Sequence, residues 1–192
     1  MLRMKYNVRQ YANKGLYKLP VAVIDFETTG VNPYESRAVE MAIVHMNLGE
    51  GNEEVVFKQR FNPQVPIPEG ASNIHGITND VVTDCPSFGE MIPTIEKHLQ
   101  NRVLAAYNLS FDWTVLNSEY RRSTTWHPDI DQRSAYGYSF FGLCGLIMAR
   151  EIDQGDRGRG YHSLSSVCTR RDIALTEAHS ADADSLATAK LL

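Results

Sequence analysis

The chain has 192 residues, of which 43% are hydrophobic, and this predicts a single folded domain with a sizeable core. The net charge of -4 argues against strong non-specific binding to nucleic acid, because such binding needs many lysine and arginine contacts to phosphates. The sequence shows no signal peptide and no membrane-spanning run, and its three cysteines are too widely spaced for a disulfide framework, so we expect a cytoplasmic protein with buried, reduced thiols.

The N-terminal segment is basic. Residues 1–19 contain Arg3, Lys5, Arg9, Lys14 and Lys18 and no acidic residue. We therefore expect an arm over 1–19 that precedes a domain over 20–192. The arm is either a solvated terminus or a segment that contacts phosphates or a partner.

Three apolar segments follow the arm and predict strands at Val21–Ile24, Ala38–Met46 and Glu54–Phe61. The short spacings between them are typical of antiparallel hairpins. The next segment, NPQVPIPEGASNIHGIT, is rich in proline and glycine, and this predicts a surface connection rather than a helix.

The second half of the chain alternates helices and strands. Apolar residues at helical spacing predict a helix over Phe88–Leu99, and Pro93 inside it predicts either a later start or a bend. The other predicted elements are a strand at Val103–Ala106, a helix at Asp112–Arg122, a short fifth strand near Phe140–Cys144, and helices at Ser163–Arg171 and Ser180–Leu192. Loops are predicted at Ser123–Phe141 and in EIDQGDRGRGYH. This order indicates an α/β domain with a mixed sheet.

The first predicted strand ends in two acidic residues, within LPVAVIDFETTG. Alternate residues of a strand share a face, so Asp25 and Glu27 point to one side and Phe26 points to the core. Two carboxylates this close repel each other, and a divalent cation would resolve the repulsion. The alternative is a pair of acids that cap a strand end in solvent, but the small residues that follow, Thr-Thr-Gly, favour close approach of a ligand.

Two further acidic motifs lie later in the chain. Asp112, in LAAYNLSFDWTVLNSEY, stands near the start of a predicted helix, where the helix dipole alone would also favour an acid. His179 and Asp184 lie in EAHSADADSLATAKLL, before and within the last predicted helix. A histidine beside carboxylates and a metal is a candidate general base, whereas a lone histidine before a helix is a surface residue.

The segments VIDFETTG, AYNLSFD and HSADAD, in this order, resemble the three motifs of the DEDDh exonucleases. That family includes the epsilon proofreading subunit of bacterial replicative polymerases, ribonuclease T and oligoribonuclease. The segment IPEGASNIHGIT is similar to the loop between the family's first two motifs, and the resemblance extends over roughly residues 20–192. It implies a ribonuclease H-like α/β fold, with a mixed five-stranded sheet flanked by helices.

The resemblance also implies a two-metal active site. Asp25, Glu27, Asp112 and Asp184 would bind two Mg2+ or Mn2+ ions, and His179 would act as the general base. The histidine subclass places its histidine five residues before the last aspartate, which fits 179 and 184. Asp182 is the rival for the last ligand, and the LATA run after Asp184, similar to that of the family, favours Asp184.

Substrate contacts follow from the same resemblance. They are expected at Thr28, Gly30, His75, Tyr107 and Asn108. A solvent-facing side chain is the alternative for His75. Many family members have a histidine where Tyr107 stands, and a tyrosine there can still donate a hydrogen bond. Many also have an aspartate in place of Cys144, at a position that supports structure.

The activity that the resemblance implies is 3'→5' exonuclease action on the single-stranded or frayed 3' end of DNA, with release of nucleoside 5'-monophosphates, in proofreading or repair. The alternatives are the same chemistry on RNA, which a 2'-hydroxyl pocket would decide, and a non-catalytic nucleic-acid-binding module. A polymerase is the candidate partner. Several polymerase-associated relatives have a C-terminal tethering tail that is absent here, so we expect a free-standing nuclease.

Overall fold

The computed structural model describes residues 18–123, 142–153 and 158–192. Within these residues the strands are β1 (Pro20–Thr28), β2 (Ala38–Asn47), β3 (Glu54–Arg60), β4 (Val103–Ala106) and β5 (Gly142–Cys144). The helices are α1 (Glu69–His75), α2 (Asn79–Val82), α3 (Phe88–Leu99), α4 (Leu109–Arg122), α5 (Gly145–Ile152), α6 (Leu164–Arg170) and α7 (Ala181–Leu191). Nearly all of the expected arm over 1–19 and of the loop expected at Ser123–Phe141 lies outside the described residues.

The five strands form one mixed sheet in the order β3-β2-β1-β4-β5. β1 and β2 are antiparallel, as are β2 and β3, whereas β4 is parallel to both β1 and β5. The predicted hairpins and the mixed five-stranded sheet are therefore confirmed. The central strand, β1, is the one that carries the first acidic motif.

The two faces of β1 pack against different helices. Ala22, Ile24 and Phe26 belong to the core under α3 and α4, and the Phe26 ring lies 6.2 Å from that of Phe88, centroid to centroid. Val21 and Val23 face the opposite way and pack with residues of α7. Strand alternation then directs Asp25 and Glu27 to the α7 side of the sheet, as the sequence predicts.

α3 begins at Phe88 in spite of Pro93, so a later start is excluded. The Glu90 carboxylate accepts hydrogen bonds of 2.7 Å from both the backbone N–H and the hydroxyl of Ser87. This capping box satisfies donors that the first turn of the helix leaves without partners. It therefore supports a start immediately after Ser87.

Three expectations for the helices were wrong. The proline-rich connection contains α1, because its prolines all precede the helix: Pro68 is the N-cap, and Gly76, with φ of 71°, ends the helix. α4 begins at Leu109, three residues earlier than expected, and α5 extends into the predicted polar loop. The last two helices are confirmed to within a residue at each end.

The cysteines only partly follow the prediction. All three are free thiols, but Cys168 is buried whereas Cys85 and Cys144 are half-buried.

Among the described residues, no helix combines the length and the apolar character that crossing a membrane requires.

A buried ion pair connects α4 to the loop that follows the acidic end of β1. The Glu119 carboxylate, only 2% exposed, accepts hydrogen bonds from Arg37 Nε at 2.8 Å and from the Ala38 backbone N–H at 2.9 Å. Arg122 donates from the same helix to the Ser36 carbonyl at 2.9 Å. Glu119 therefore fixes the start of β2 beside α4.

We predict that Glu119→Gln lowers the free energy of unfolding by about 3 kcal/mol, because Arg37 then lies beside α4 without its counter-charge. Urea denaturation measures the change. Glu151→Gln, at an exposed site on α5, is the matched control and should change the free energy by less than about 0.5 kcal/mol. Equal stability of the two variants would contradict the role given to Glu119.

Candidate metal centre and active site

Three of the predicted acids meet at the acidic end of β1. Asp25, Glu27 and Asp184 each offer one carboxylate oxygen, and these oxygens lie within 4.8 Å of one another. A register shift between Glu27 and Thr28 marks the end of regular pairing with β2. Such irregularities redirect side chains and are frequent beside active sites.

Asp184 comes from the first turn of α7, and its two oxygens differ. Oδ2 accepts a hydrogen bond of 3.2 Å from the His179 backbone N–H, whereas Oδ1 is buried and has no hydrogen-bond partner among the described residues. Asp182 instead pairs with Lys58 Nζ at 2.6 Å and accepts from the Ser180 hydroxyl at 2.6 Å. The structure thus places Asp184, and not its rival Asp182, in the carboxylate cluster.

Asp112 reaches the cluster from the opposite helical layer. It lies in the first turn of α4 and is 4% exposed. Asp112 does not belong to the group of oxygens that lie within 4.8 Å of one another, but its charge raises the pKa of both Asp25 and Glu27, as a nearby acid does. Its own carboxylate interacts with the backbone amide of Phe26. The four predicted acids are therefore neighbours, although they are up to 159 residues apart in the sequence, from 25 to 184.

Burial and the proximity of the four acids raise their pKa values. Burial, together with the charges of Asp184, Glu40 and Asp112, raises the pKa of Glu27 to about 8. Burial raises the pKa of Asp112 to about 7, although hydrogen bonds from two backbone amides lower it. Burial and the neighbouring acids raise the pKa of Asp25 well above its usual range. Burial also raises the pKa of Asp184, although His179 opposes it. Without a cation, it is therefore unfavourable for all four carboxyl groups to be ionised at the same time.

This donor set fits a divalent cation. Its donors are carboxylate oxygens, which hard cations such as Mg2+ and Mn2+ prefer. Oδ1 of Asp184 is a buried oxygen without a partner among the described residues, and such an atom normally requires one. A bound cation would supply this partner and offset the repulsion that raises the pKa values.

His179 stands at the rim of the cluster. Its side chain is exposed, and its backbone φ of 67° lies in the left-handed region, which few non-glycine residues adopt. The hydrogen bond from its N–H to Asp184 fixes this conformation. Strained backbone of this kind clusters at functional sites.

His75 is half-buried near Thr28 and is not a solvent-facing side chain. Its Nδ1 accepts a hydrogen bond of 3.1 Å from the Ile77 N–H, so the other ring nitrogen carries the proton in the neutral form. Burial lowers its pKa, while the Thr28 backbone and Glu40 act in the opposite direction. The buried hydroxyl of Thr28 donates to the Gly30 carbonyl at 2.7 Å.

The remaining predicted substrate residues have local structural contacts. A side chain at Gly30 would place its Cβ 3.2 Å from the Ser36 hydroxyl, so glycine allows this loop to close. The Tyr107 hydroxyl donates to the His162 carbonyl at 2.5 Å, and burial raises the pKa of Tyr107 to about 12. Asn108 is the exposed N-cap of α4. Substrate contact at these positions stays a prediction.

Glu40, Lys58 and Arg60 also lie beside the acids of β1 and were not predicted from the sequence. Glu40 is 2% exposed and lies opposite Glu27 in the β1–β2 register. It pairs with Arg60 Nε at 2.9 Å and with Lys58 Nζ at 3.9 Å. The sequence signal for Glu40 was a single acid in the mostly apolar strand AVEMAIVHM, because a buried carboxylate needs a partner.

The family model described as exonuclease, RNase_T, matches residues 22–192. The chain therefore belongs to the RNase T exonuclease family, within the DEDD-type 3'-5' exonucleases, as the motifs predict. The curated relatives include the PolC-type DNA polymerase III of Oceanobacillus iheyensis, 31% identical over 181 residues, and that of Bacillus subtilis, 29% identical over 185 residues. Each alignment covers 94% of this chain but 12% of the polymerase, so the chain spans about an eighth of those relatives.

Solved exonucleases share the fold. Exonuclease I of E. coli in complex with a dT13 oligonucleotide has a TM-score of 0.67 and 20% identity, over 90% of this chain and 40% of that one. Exonuclease X in complex with 5' overhanging duplex DNA has a TM-score of 0.59 and 20% identity, over 89% of each chain. The ribonuclease H-like fold is thereby confirmed.

The raised pKa values predict that the metal-free protein becomes less stable as the pH rises. The folded carboxyl groups keep protons up to a pH of about 7 to 8, whereas the unfolded chain releases them near the usual values of 3.8 and 4.5. The unfolded state therefore binds fewer protons across this interval, and the free energy of unfolding falls through it. A cation that binds only the folded, ionised cluster should raise Tm more at about pH 8 than at about pH 5.

Thermal unfolding in EDTA and in Mn2+ across this pH range measures both effects. Glu27→Gln removes one acid at nearly constant size, so it should flatten the pH dependence of the metal-free protein and reduce the stabilisation by Mn2+. A wild-type Tm that rises with pH in EDTA, or that Mn2+ leaves unchanged at about pH 8, would contradict the account of the cluster.

Proposed function

We propose that this protein is a metal-dependent 3'→5' exonuclease that degrades DNA from its 3' end. The observation that carries the proposal is the meeting of Asp25, Glu27 and Asp184, with Asp112 beside them, in a member of an exonuclease family. Bound divalent cations would lower the pKa of a water ligand and neutralise charge on the phosphate and on the leaving oxygen. Mg2+ and Mn2+ are the ions that this oxygen-only set favours.

The position of each residue at the site suggests its role in the reaction. Asp25, Glu27 and Asp184 would hold one cation, and Asp112 would hold the second together with Asp25. The His179 imidazole would accept the proton of the attacking water. The water oxygen would then bond to phosphorus as the bond to the 3'-oxygen breaks, which releases a nucleoside 5'-monophosphate. The 3'-oxygen stays on the shortened strand and takes up a proton from solvent to become the new 3'-hydroxyl. Thr28, Gly30, His75, Tyr107 and Asn108 are the proposed surroundings of the terminal nucleotide.

DNA is the substrate we favour over RNA. The curated relatives are DNA polymerases, and a structural neighbour was determined with a DNA oligonucleotide. Another neighbour is a 3'-exonuclease described in recognition of a histone mRNA stem-loop, so this fold serves both nucleic acids. The experiment below therefore includes an RNA substrate.

The wider assignment rests on the same family membership. We propose that residues 20–192 form the exonuclease domain, that 1–19 form a separate basic arm, and that the protein acts in the cytoplasm in proofreading or repair. The PolC-type relatives make a DNA polymerase the proposed partner.

We predict that wild-type protein shortens 5'-labelled single-stranded DNA and a duplex with a mismatched 3' end in single-nucleotide steps. The reaction should require Mg2+ or Mn2+ and stop in EDTA. Asp25→Asn should reduce the rate to background, because the cluster loses a ligand, and His179→Ala should reduce it by about 100-fold or more, as removal of a general base does. Gel analysis of the products measures each rate.

Asp84→Asn, at an exposed site after α2, makes the same chemical change outside the cluster and should keep full activity. If RNA of the same sequence is shortened faster than DNA, the preferred substrate is RNA and not DNA. Internal fragments would refute the exonuclease assignment, and intact substrates in every metal would indicate a non-catalytic binding module.

A further inference from the structure

Two cross-strand rows organise the α7 side of the sheet. Asp25 of β1 is opposite Ala42 of β2, which is opposite Lys58 of β3. In the next row, Glu27, Glu40 and Arg60 are opposite one another. Directly opposed residues share a face, so the acids of β1 and the cations of β3 lie on the same surface, under α7.

Lys58 connects this surface to the start of α7. Its Nζ lies 2.6 Å from a carboxylate oxygen of Asp182, 3.2 Å from the Ser180 hydroxyl and 3.9 Å from Glu40. Ser180 is the N-cap of the helix and also donates to Asp182. One ammonium group therefore joins β2 and β3 to the first turn of α7.

The first turn of α7 contains two acids, Asp182 and Asp184, which have different partners. Asp182 is directed to Lys58 and accepts hydrogen bonds of 2.6 Å from both the Lys58 ammonium group and the Ser180 hydroxyl. Asp184 joins the carboxylate cluster and accepts from the His179 N–H. A rotation or shift of this turn would move Asp184, the His179 backbone and Asp182 together, because they belong to one short segment.

We propose that Lys58 is a positioning residue, which holds Asp182 away from the carboxylate cluster and so fixes the segment 179–184 with Asp184 and His179 at the site. The inference rests on the proposed function for the roles of those two residues. The Lys58 and Asp182 side chains are 36% and 33% exposed, and ion pairs at such positions add little to stability. The contribution of the bridge is therefore geometric.

The alternatives for Lys58 predict other effects. A lysine that bound substrate phosphate would act on KM, because it would contribute to binding of the substrate before the reaction. A lysine that acted only as a positive charge would repel a cation from the cluster, so its removal would tighten Mn2+ binding. A positioning residue predicts weaker Mn2+ binding and a lower kcat.

The variants are Lys58→Met, Lys58→Arg, Asp182→Asn and the double variant. Steady-state cleavage of single-stranded DNA gives kcat and KM, and electron paramagnetic resonance of free Mn2+ gives metal binding without substrate. Lys190→Met, at an exposed site in the last turn of the same helix, is the matched control. Thermal unfolding checks that each variant is folded.

We expect Lys58→Met to lower kcat and to weaken Mn2+ binding by about 10-fold or more, the scale for residues that orient metal ligands, with KM nearly unchanged. Lys58→Arg should recover most of the loss. Asp182→Asn removes the negative charge from the same bridge and should lower kcat as much, and the double variant should be no worse than either single variant. Lys190→Met should match the wild type.

The proposal is overturned if Lys58→Met raises KM at unchanged kcat, binds Mn2+ more tightly, or matches the control. It is equally overturned if Asp182→Asn keeps full kcat. Inactive wild-type protein would instead refute the proposed function, and the Mn2+ comparison would still decide whether Lys58 positions the cluster. If Lys58→Met fails to fold, Asp182→Asn perturbs the same contact from its other side and gives the same test against the Lys190→Met control.

Discussion

Repulsion between neighbouring carboxylates is the constraint around which this structure is arranged. β1 places Asp25 and Glu27 on one face, α7 adds Asp184, and α4 adds Asp112 from the other helical layer. Burial and mutual charge make the ionised cluster unfavourable by itself, as the raised pKa of Glu27 shows. A divalent cation would convert this repulsion into coordination, which would link the geometry to the chemistry of an exonuclease.

The surrounding contacts hold the acids where repulsion would otherwise separate them. Phe26 anchors β1 in the opposite core, and Glu119 fixes the start of β2 beside α4. The left-handed backbone of His179 and the Lys58 bridge keep the first turn of α7 in one orientation. Rigid support of this kind is what a preorganised metal site requires.

The features that the sequence predicted correctly depend on a short repeat of apolar residues or on a motif. Alternation in β1 predicted which face the acids share, and the helical apolar spacing predicted α3. Motif order was sufficient to recognise the family. The exact partner of each side chain could not be predicted, because the cross-strand rows that join Glu27 to Glu40 and Arg60 depend on strand register. Likewise, composition alone did not show that the prolines precede α1 and leave its interior intact.

Anomalous diffraction from crystals soaked in Mn2+ tests the central claim most directly, because it locates the metal independently of activity. The account predicts an anomalous peak bounded by the carboxylate oxygens of Asp25, Glu27 and Asp184, and the loss of that peak in Asp25→Asn crystals. Mn2+ bound only at other acids of the surface, with the cluster of wild-type protein empty at saturating metal, would contradict it.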